Sequence, residues 1–356
     1  MNANEQKLSY PWGDTLPEFG TTHPVADGVR WVRMPLPFAL DHINLWLLRD
    51  KIDGREGWTI VDCGVSRDEI KGHWNQIFEN ELDGLPVLRI IVTHMHPDHL
   101  GLAYWLCEKW NAPLWITMTD YSVARLWSQP AEKGKEAGGP NGAAAAEHFR
   151  RHGLIDQEAL EQIKGRANYY PGLVPDVPSR FCRMMNGDRI SIGGRDWQVI
   201  VGYGHAPEHA SLFCDTLQVL ISGDMVLPRI STNISVFNYE PEGNPLPLYL
   251  NSLRAYDSLP EDTLVLPSHG RPFRGLHERI AQQHSHHAER LEEVLTACSE
   301  PQSTIDILPV MFKRKLDLHQ MTFAMGEALA HLHALYFDGQ LERSIGADDI
   351  VRFKRK

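Results

Sequence analysis

Sulfur is scarce and scattered: the five cysteines, Cys63, Cys107, Cys182, Cys214 and Cys298, form no C-x-x-C pair and are odd in number. That excludes a disulfide framework and a thiolate zinc knuckle, and it fits a reducing compartment. No stretch approaches the about 18 uncharged apolar residues of a membrane span, and the first twenty residues lack a basic segment followed by an apolar one. The expected location is therefore cytoplasmic, with no membrane partner. Positive charge is also short, since 35 Lys and Arg face 46 Asp and Glu for a net charge of −11. Such a chain is a poor general binder of polyanions, so any nucleic-acid contact would have to be local. Low-complexity tracts and long linkers are missing too. What remains is a globular composition, 42% hydrophobic and 23% charged over 356 residues, long enough for two cores. The one surplus is 18 histidines.

From Trp31 to Val65 the chain reads as strands, the last two joined by a turn at residues 53–57. Ser66 is a candidate cap for a helix with Ile70, Trp74, Ile77 and Phe78 on one face. LRIIVT then forms a buried strand that delivers the chain to His94, and the strand, helix, strand alternation predicts layered α/β packing. Residues of about 121–180 change character and read as a partly helical insertion. A second run of short strands follows, then a helix, a turn and a strand ending at His269. Past Pro272 come two long amphipathic helices, the second stopped by Gly339, and a terminal hairpin. The expected organisation is a catalytic domain over 1–275 and a small winged-helix-like C-terminal domain over 276–356.

THMHPDHLG places His94, His96, Asp98 and His99 directly after the buried strand. On a loop, alternate residues converge on one side while their neighbours point to another, so the cluster can serve two adjacent metal ions. Imidazole nitrogen and carboxylate oxygen suit zinc, and also iron or manganese. Three more candidates end strands downstream: His205 in GYGHAPEH, Asp224 in ISGDM and His269 in LPSHG. Singly each is bland; together they complete two coordination shells. Asp62 ends a strand upstream.

This ordered set resembles the metallo-β-lactamase-fold hydrolase superfamily over about residues 30–275. The resemblance implies a four-layer αβ/βα sandwich, of α/β (α+β) class, with the metals at one edge between the sheets. It implies that His94, His96 and His205 hold one divalent transition-metal ion, that Asp98, His99 and His269 hold a second, and that Asp224 bridges them. Asp62 would orient a ligand histidine from behind, and Asp98 and Asp62 are the carboxylates expected to serve catalysis. Antibiotic-degrading members carry Cys or Ser where Asp224 stands, so the likeness is to the bridging-Asp branch and not to true β-lactamases. The layout of the tail resembles that of lactamase-like endoribonucleases and related hydrolases. Two ions roughly 3.5 to 4 Å apart share a hydroxide formed from water at neutral pH and polarise a carbonyl or phosphoryl oxygen, so the implied chemistry is hydrolysis.

Outside this set, Arg150, Arg151, Tyr169 and Tyr170 fall in the insertion and could form a lid with anion-binding and stacking groups, or a plain solvated helix. His209 reads as a supporting group or cap, and His284, His286 and His287 as a solvated helix face. FKRK occurs at 312–315 and again at 353–356. The first expectation is a dinuclear hydrolase of a small ester, thioester or related acyl compound, using zinc, iron or manganese. The alternative is a metal-dependent single-strand endoribonuclease, which the two basic runs favour and the net charge opposes. A third is a non-catalytic regulatory or binding protein, against which the complete ligand set counts. The tail could shape the pocket, mediate a homodimer or bring RNA to the metals.

Overall fold

The computed structural model describes residues 5–38, 40–130 and 142–356. Part of the expected insertion, 131–141, lies outside the described residues.

The first half builds a seven-stranded sheet. Strands β1 (Thr22–Ala26), β2 (Val29–Pro35), β3 (His42–Ile52) and β4 (Arg55–Val61) pair antiparallel in sequence order. Between β3 and β4 the two central turn residues, Asp53 and Gly54, both take positive φ, 50° and 80°, the geometry that Asp-Gly supplies to a tight hairpin. Three parallel strands follow: β5 (Val87–Ile91) after helix α1 (Asp68–Asn80), β6 (Leu114–Thr117) after α2 (Pro97–Leu100) and α3 (Ala103–Trp110), and β7 (Cys182–Met184). Between β6 and β7 lie α4 (Met118–Trp127), α5 (Gly142–Arg151), α6 (Gln157–Lys164) and α7 (Tyr169–Leu173). The second sheet has β8 (Arg189–Ile192), β9 (Arg195–Gly202), β10 (His209–Cys214) and β11 (Val219–Gly223) as an antiparallel meander; α8 (Pro245–Leu253) then leads to β12 (Leu264–Pro267), parallel to β11. The tail is α9 (Leu276–Ala297), α10 (Thr304–Met311), α11 (Leu318–Phe337) and the hairpin β13 (Leu341–Ile345) and β14 (Val351–Arg355).

Strand β3 is apolar on both faces through its middle, Ile43 to Leu48, apart from Asn44. Successive side chains of a strand face opposite ways: Ile43, Leu45 and Leu47 pack with Ile70, Trp74 and Ile77 of α1, while Trp46 and Leu48 pack against Trp197, Val199 and Leu212 of the other sheet. The outer face of the second sheet, through Phe213, Leu220 and Val265, is covered by Tyr249 of α8, Ile280 of α9 and Leu329 of α11. The layers are thus helix, sheet, sheet, helix, as the resemblance implies. No helix among the described residues is long and apolar enough to cross a membrane.

Several expectations are corrected. The N-cap of α1 is Arg67, without a side-chain cap, and not Ser66; Asp68 and Glu69 in the first turn complement the helix dipole instead. Position 121 falls inside α4, whose Ala124 and Trp127 enter the same core as α1, so the inserted helices begin only after Trp127. His287 is buried and packs on Tyr249 and His331, because α8 and α11 cover the side of α9 that its polar residues had suggested was wet. The tail has no core of its own: Phe353, Leu332 and Leu335 belong to one cluster with Phe213 and Tyr249.

Candidate metal centre

The predicted metal residues follow strand ends, His94, His96, His205, Asp224 and His269 in the loops that leave them and Asp98 and His99 in the short helix α2 just after β5, and these segments meet along one edge of the sandwich. His94, His96, His205 and Asp224 form one group of potential ligands and Asp98, His99 and His269 another, with the ligand atoms of each group within 4.8 Å of one another. Asp224 faces both groups. Its Oδ2 is 3.2 Å from His205 Nε2, and its Oδ1 is 3.5 Å from Nε2 of both His99 and His269.

The hydrogen bonds behind these side chains fix which nitrogen faces inward. His205 Nδ1 donates to the Asn233 carbonyl, His269 Nδ1 to the His42 carbonyl and His99 Nδ1 to Asp62 Oδ2, each at 2.8 Å. The Thr93 hydroxyl, which bonds Asp62, lies 3.0 Å from His94 Nδ1. Nε2 of His94 and of His205 are therefore both left with a lone pair, yet they lie 3.2 Å apart. His96 Nδ1 lies 2.8 Å from the same His94 nitrogen, so three imidazole nitrogens converge at one point, where a cation would share their lone pairs. His99 Nε2 and Asp224 Oδ1 are likewise buried without a hydrogen-bond partner. The donor set fits divalent cations held by nitrogen and oxygen.

The electrostatics of the two groups differ. Burial, followed by the neighbouring imidazoles, holds His94 well below the usual imidazole range, and burial takes His96 down to about 3. Neutral rings of this kind are what a metal would require of its imidazole ligands. Burial opposes protonation of His99 too, but the carboxylates of Asp62, Asp98 and Asp224 outweigh it and raise the ring to about 10. That excess of negative charge is what a cation would neutralise.

Backbone constraints position the carboxylates. Asp62 adopts φ 63° at the end of β4, a conformation uncommon outside glycine, and from there accepts from the Thr93 N–H and hydroxyl as well as from His99. Gly223 precedes Asp224 with φ +52°, and a Cβ there would lie 2.3 Å from His209 Nε2. The glycine lets the His209 ring pass and accept the Asp224 N–H at 3.0 Å. Two supports carry no sequence signal. Asn44 donates to the Pro267 and Gly270 carbonyls on either side of His269, and Asp120 accepts from the N–H groups of Met95 and Glu208 in the two histidine loops.

The remaining predicted site residues divide. Tyr170 donates to the Met95 carbonyl at 2.6 Å, and Tyr169 lies beside His96 in the cavity wall. Arg150 and Arg151 do not come to the centre. Arg150 pairs with Glu147 and with Asp349, and Arg151 reaches Asp349, in the turn between β13 and β14. They fasten the inserted helices to the tail, so the expectation of a lid bearing these two cations is not met. The cations that do line the cavity are Arg166 and Arg314, neither of which makes an ion pair among the described residues. The cavity over the ligands measures about 390 Å³; Phe312, Arg314, Leu316, His319, Phe323 and Glu327 of the tail form its far wall.

Comparison with known proteins identifies the family. The profile of the Metallo-beta-lactamase superfamily matches residues 39–269, and that of the Metallo-beta-lactamase-like, C-terminal domain matches residues 291–356. A beta-lactamase domain protein from Burkholderia ambifaria is 56% identical, with a TM-score of 0.93 and 100% of both chains covered. The metallo-beta-lactamase family protein TTHA1429 from Thermus thermophilus is 26% identical, with a TM-score of 0.72, covering 93% of this chain and 99% of that one. The probable metallo-hydrolase YqjP of Bacillus subtilis (strain 168) is 22% identical over 319 residues, 85% of this chain and 91% of that protein.

Proposed function

Because the chain belongs to the metallo-beta-lactamase superfamily and is a metal-dependent hydrolase, we propose that it works with two divalent ions on a small ester, thioester or related acyl compound. The observation that carries this reading is Asp224, a single carboxylate with one oxygen toward His205 and the other toward His99 and His269. Zinc suits the all-nitrogen-and-oxygen donor set, and iron or manganese accept the same one. The two ligand groups would hold such ions, and the chemistry these would supply is a nucleophile from water at neutral pH and polarisation of the carbonyl under attack. The residues of the chain do the holding and aiming. Asp62 locks the His99 ring, the Asn233 and His42 carbonyls lock His205 and His269, and the His209 ring pins the backbone of Asp224. Leu227, Phe237 and Phe312 wall the cavity with apolar surface, which excludes water from the scissile bond.

A second reading, cleavage of single-stranded RNA, is favoured by Arg314 in the cavity wall with Lys313 and Lys315 exposed beside it. The apolar lining favours the acyl substrate. Elemental analysis of metal-replete protein should find two transition-metal ions per chain, one for each ligand group. Asp224→Ala should lose at least one of them together with hydrolysis of a panel of p-nitrophenyl esters and acyl thioesters. One ion or none in the parent, or an active Asp224→Ala variant, would overturn the dinuclear reading. Cleavage of single-stranded RNA by a preparation that turns over no ester would replace the acyl substrate with the second one.

A further inference from the structure

Beside His96 the cavity divides. A side arm of about 110 Å³ shares His96, Pro97, Tyr169, Phe237, His319 and Phe323 with the main room and extends from there between the inserted helices and α11. Its inner wall is assembled from segments far apart in sequence: Trp127 ends α4, Phe149 and Ile163 come from α5 and α6, and Thr322 comes from α11. Trp127 stands edge-on to Tyr170, with ring centroids 5.5 Å apart at 89°. The polar groups here are largely committed. The Tyr170 hydroxyl is bonded to the Met95 carbonyl and the Thr322 hydroxyl to the His319 carbonyl. The His319 ring stacks on Phe38 at 5.4 Å, and burial, followed by Arg166, keeps it below the usual imidazole range. Among the described residues, Arg166 is the one arginine or lysine in the lining.

We propose that this arm is the acyl subsite of the hydrolase: it takes the apolar body of an aliphatic or aromatic acyl group whose carbonyl lies at the metals, while the leaving group occupies the larger room. The inference rests on the hydrolytic reading above and adds the class of acyl group. Its geometric basis is the placement of His96, a member of the first ligand group that also forms the entrance of the arm. His96 lines both spaces, so a substituent on a carbonyl held at the metals can enter the arm beside it. The reaction is an ordinary hydrolysis: the acyl C–O or C–S bond breaks, a C–O bond to the oxygen of water forms, and a proton goes to the departing alkoxide or thiolate. Rings and branched chains of this kind offer dispersion and burial but few hydrogen bonds, so they reward methylenes and not hydroxyls.

The test is a chain-length series, p-nitrophenyl acetate, butyrate, hexanoate and octanoate. Each methylene admitted should raise kcat/KM about threefold to fourfold, the equilibrium equivalent of burying one CH₂, until the wall of Trp127, Phe149 and Ile163 stops the gain. Thr322→Phe, which fills the arm from its α11 side, should lower the hexanoate-to-acetate ratio of kcat/KM at least tenfold. Calorimetry with free hexanoate and acetate on the same proteins gives a readout independent of turnover: hexanoate should bind more tightly to the parent, and Thr322→Phe should abolish the difference. Turnover of all four esters with no dependence on chain length would overturn the subsite and leave the hydrolase standing. Equal binding of hexanoate and acetate to the parent would overturn it as well. A preparation that hydrolyses none of the esters but binds hexanoate more tightly, and loses that preference in Thr322→Phe, would support the subsite and sink the acyl-hydrolase reading.

Discussion

Asp120 shows how much of the centre is held by a residue that is not a ligand. It is fully buried in the first turn of α4, and its two oxygens accept N–H groups at 2.8 Å from Met95 and at 2.7 Å from Glu208. Met95 lies between His94 and His96, and Glu208 lies in the loop that carries His205, so one carboxylate ties two ligand loops together. Burial pushes its pKa up to about 6 against the pull of these donors. The folded value lies above the ordinary one, so the contribution of this group to stability is largest when it is protonated in both states and falls as the pH rises from about 4 to about 6. At neutral pH the site therefore keeps an ionised buried group at a cost, in exchange for two acceptors that no amide can replace. Asp120→Asn turns one acceptor into a donor and leaves one backbone N–H unsatisfied, which should cost about 1–3 kcal/mol. Urea titration of metal-depleted protein measures that cost, and a chelator competition should show faster metal loss. Unchanged stability and metal retention in Asp120→Asn would refute the tether. The eight residues of the motif were legible because their chemistry is concentrated in side chains at strand ends. Asp120 and Asn44 were not, because they act on backbone groups that only the folded chain brings to them.

At the scale of elements, α11 carries a half-buried carboxylate that faces the cavity. Ala324, Ala328 and Leu335 turn into the core while Glu327 lines the wall opposite the ligands. Its partner is the Asn233 amide, at 3.5 Å, on the residue whose carbonyl fixes His205. Burial raises Glu327 to about 7, with Asn233 and Arg290 pulling the other way. From an ordinary value of 4.5 the stability contribution declines as the pH rises from about 4.5 to about 7. Glu327→Gln removes that titration, so the Tm of the metal-depleted variant should gain on the parent as the pH rises across this window, with the contribution of Asp120 common to both. Parallel Tm profiles would show that Glu327 does not titrate there. The helix itself was plain in the sequence, closed by Gly339 at φ 79°. Strand β1 escaped notice because Pro24 interrupts THPVA, and proline is confined to sheet edges, which is where β1 lies. The polar text of α9 misled for a different reason: periodicity reports one wet face, whereas Gln283 and His287 are buried beneath neighbours that come from distant parts of the chain.

For the molecule as a whole, the tail packs into the core of the main body. Leu329, Leu332 and Phe353 share a cluster with Phe213, Leu220 and Val265 of the second sheet, and polar ties reinforce the joint: Arg343 pairs with Glu242, and Arg150 with Asp349. The second basic run contributes to this interior, since Phe353 is wholly buried and Lys354 lies 4.0 Å from Glu300, while the first borders the cavity through Phe312 and Arg314. The two runs thus have different jobs, which their identical text could not convey. A chain ending at residue 275 would lose α9, α10, α11 and the hairpin, strip the cover from the outer face of the second sheet and open the far wall of the cavity. It should be insoluble or unfold without cooperativity. Phe353→Ala in the full chain tests the same joint more gently: a fully buried ring replaced by a methyl group should cost about 3–5 kcal/mol in denaturant titration, as a single transition of the whole protein if the two parts fold together. A soluble, cooperatively unfolding 1–275 fragment, or a Phe353→Ala variant in which the tail melts separately while the ester-hydrolysing body persists, would mean that the tail is an appendage to a domain complete without it.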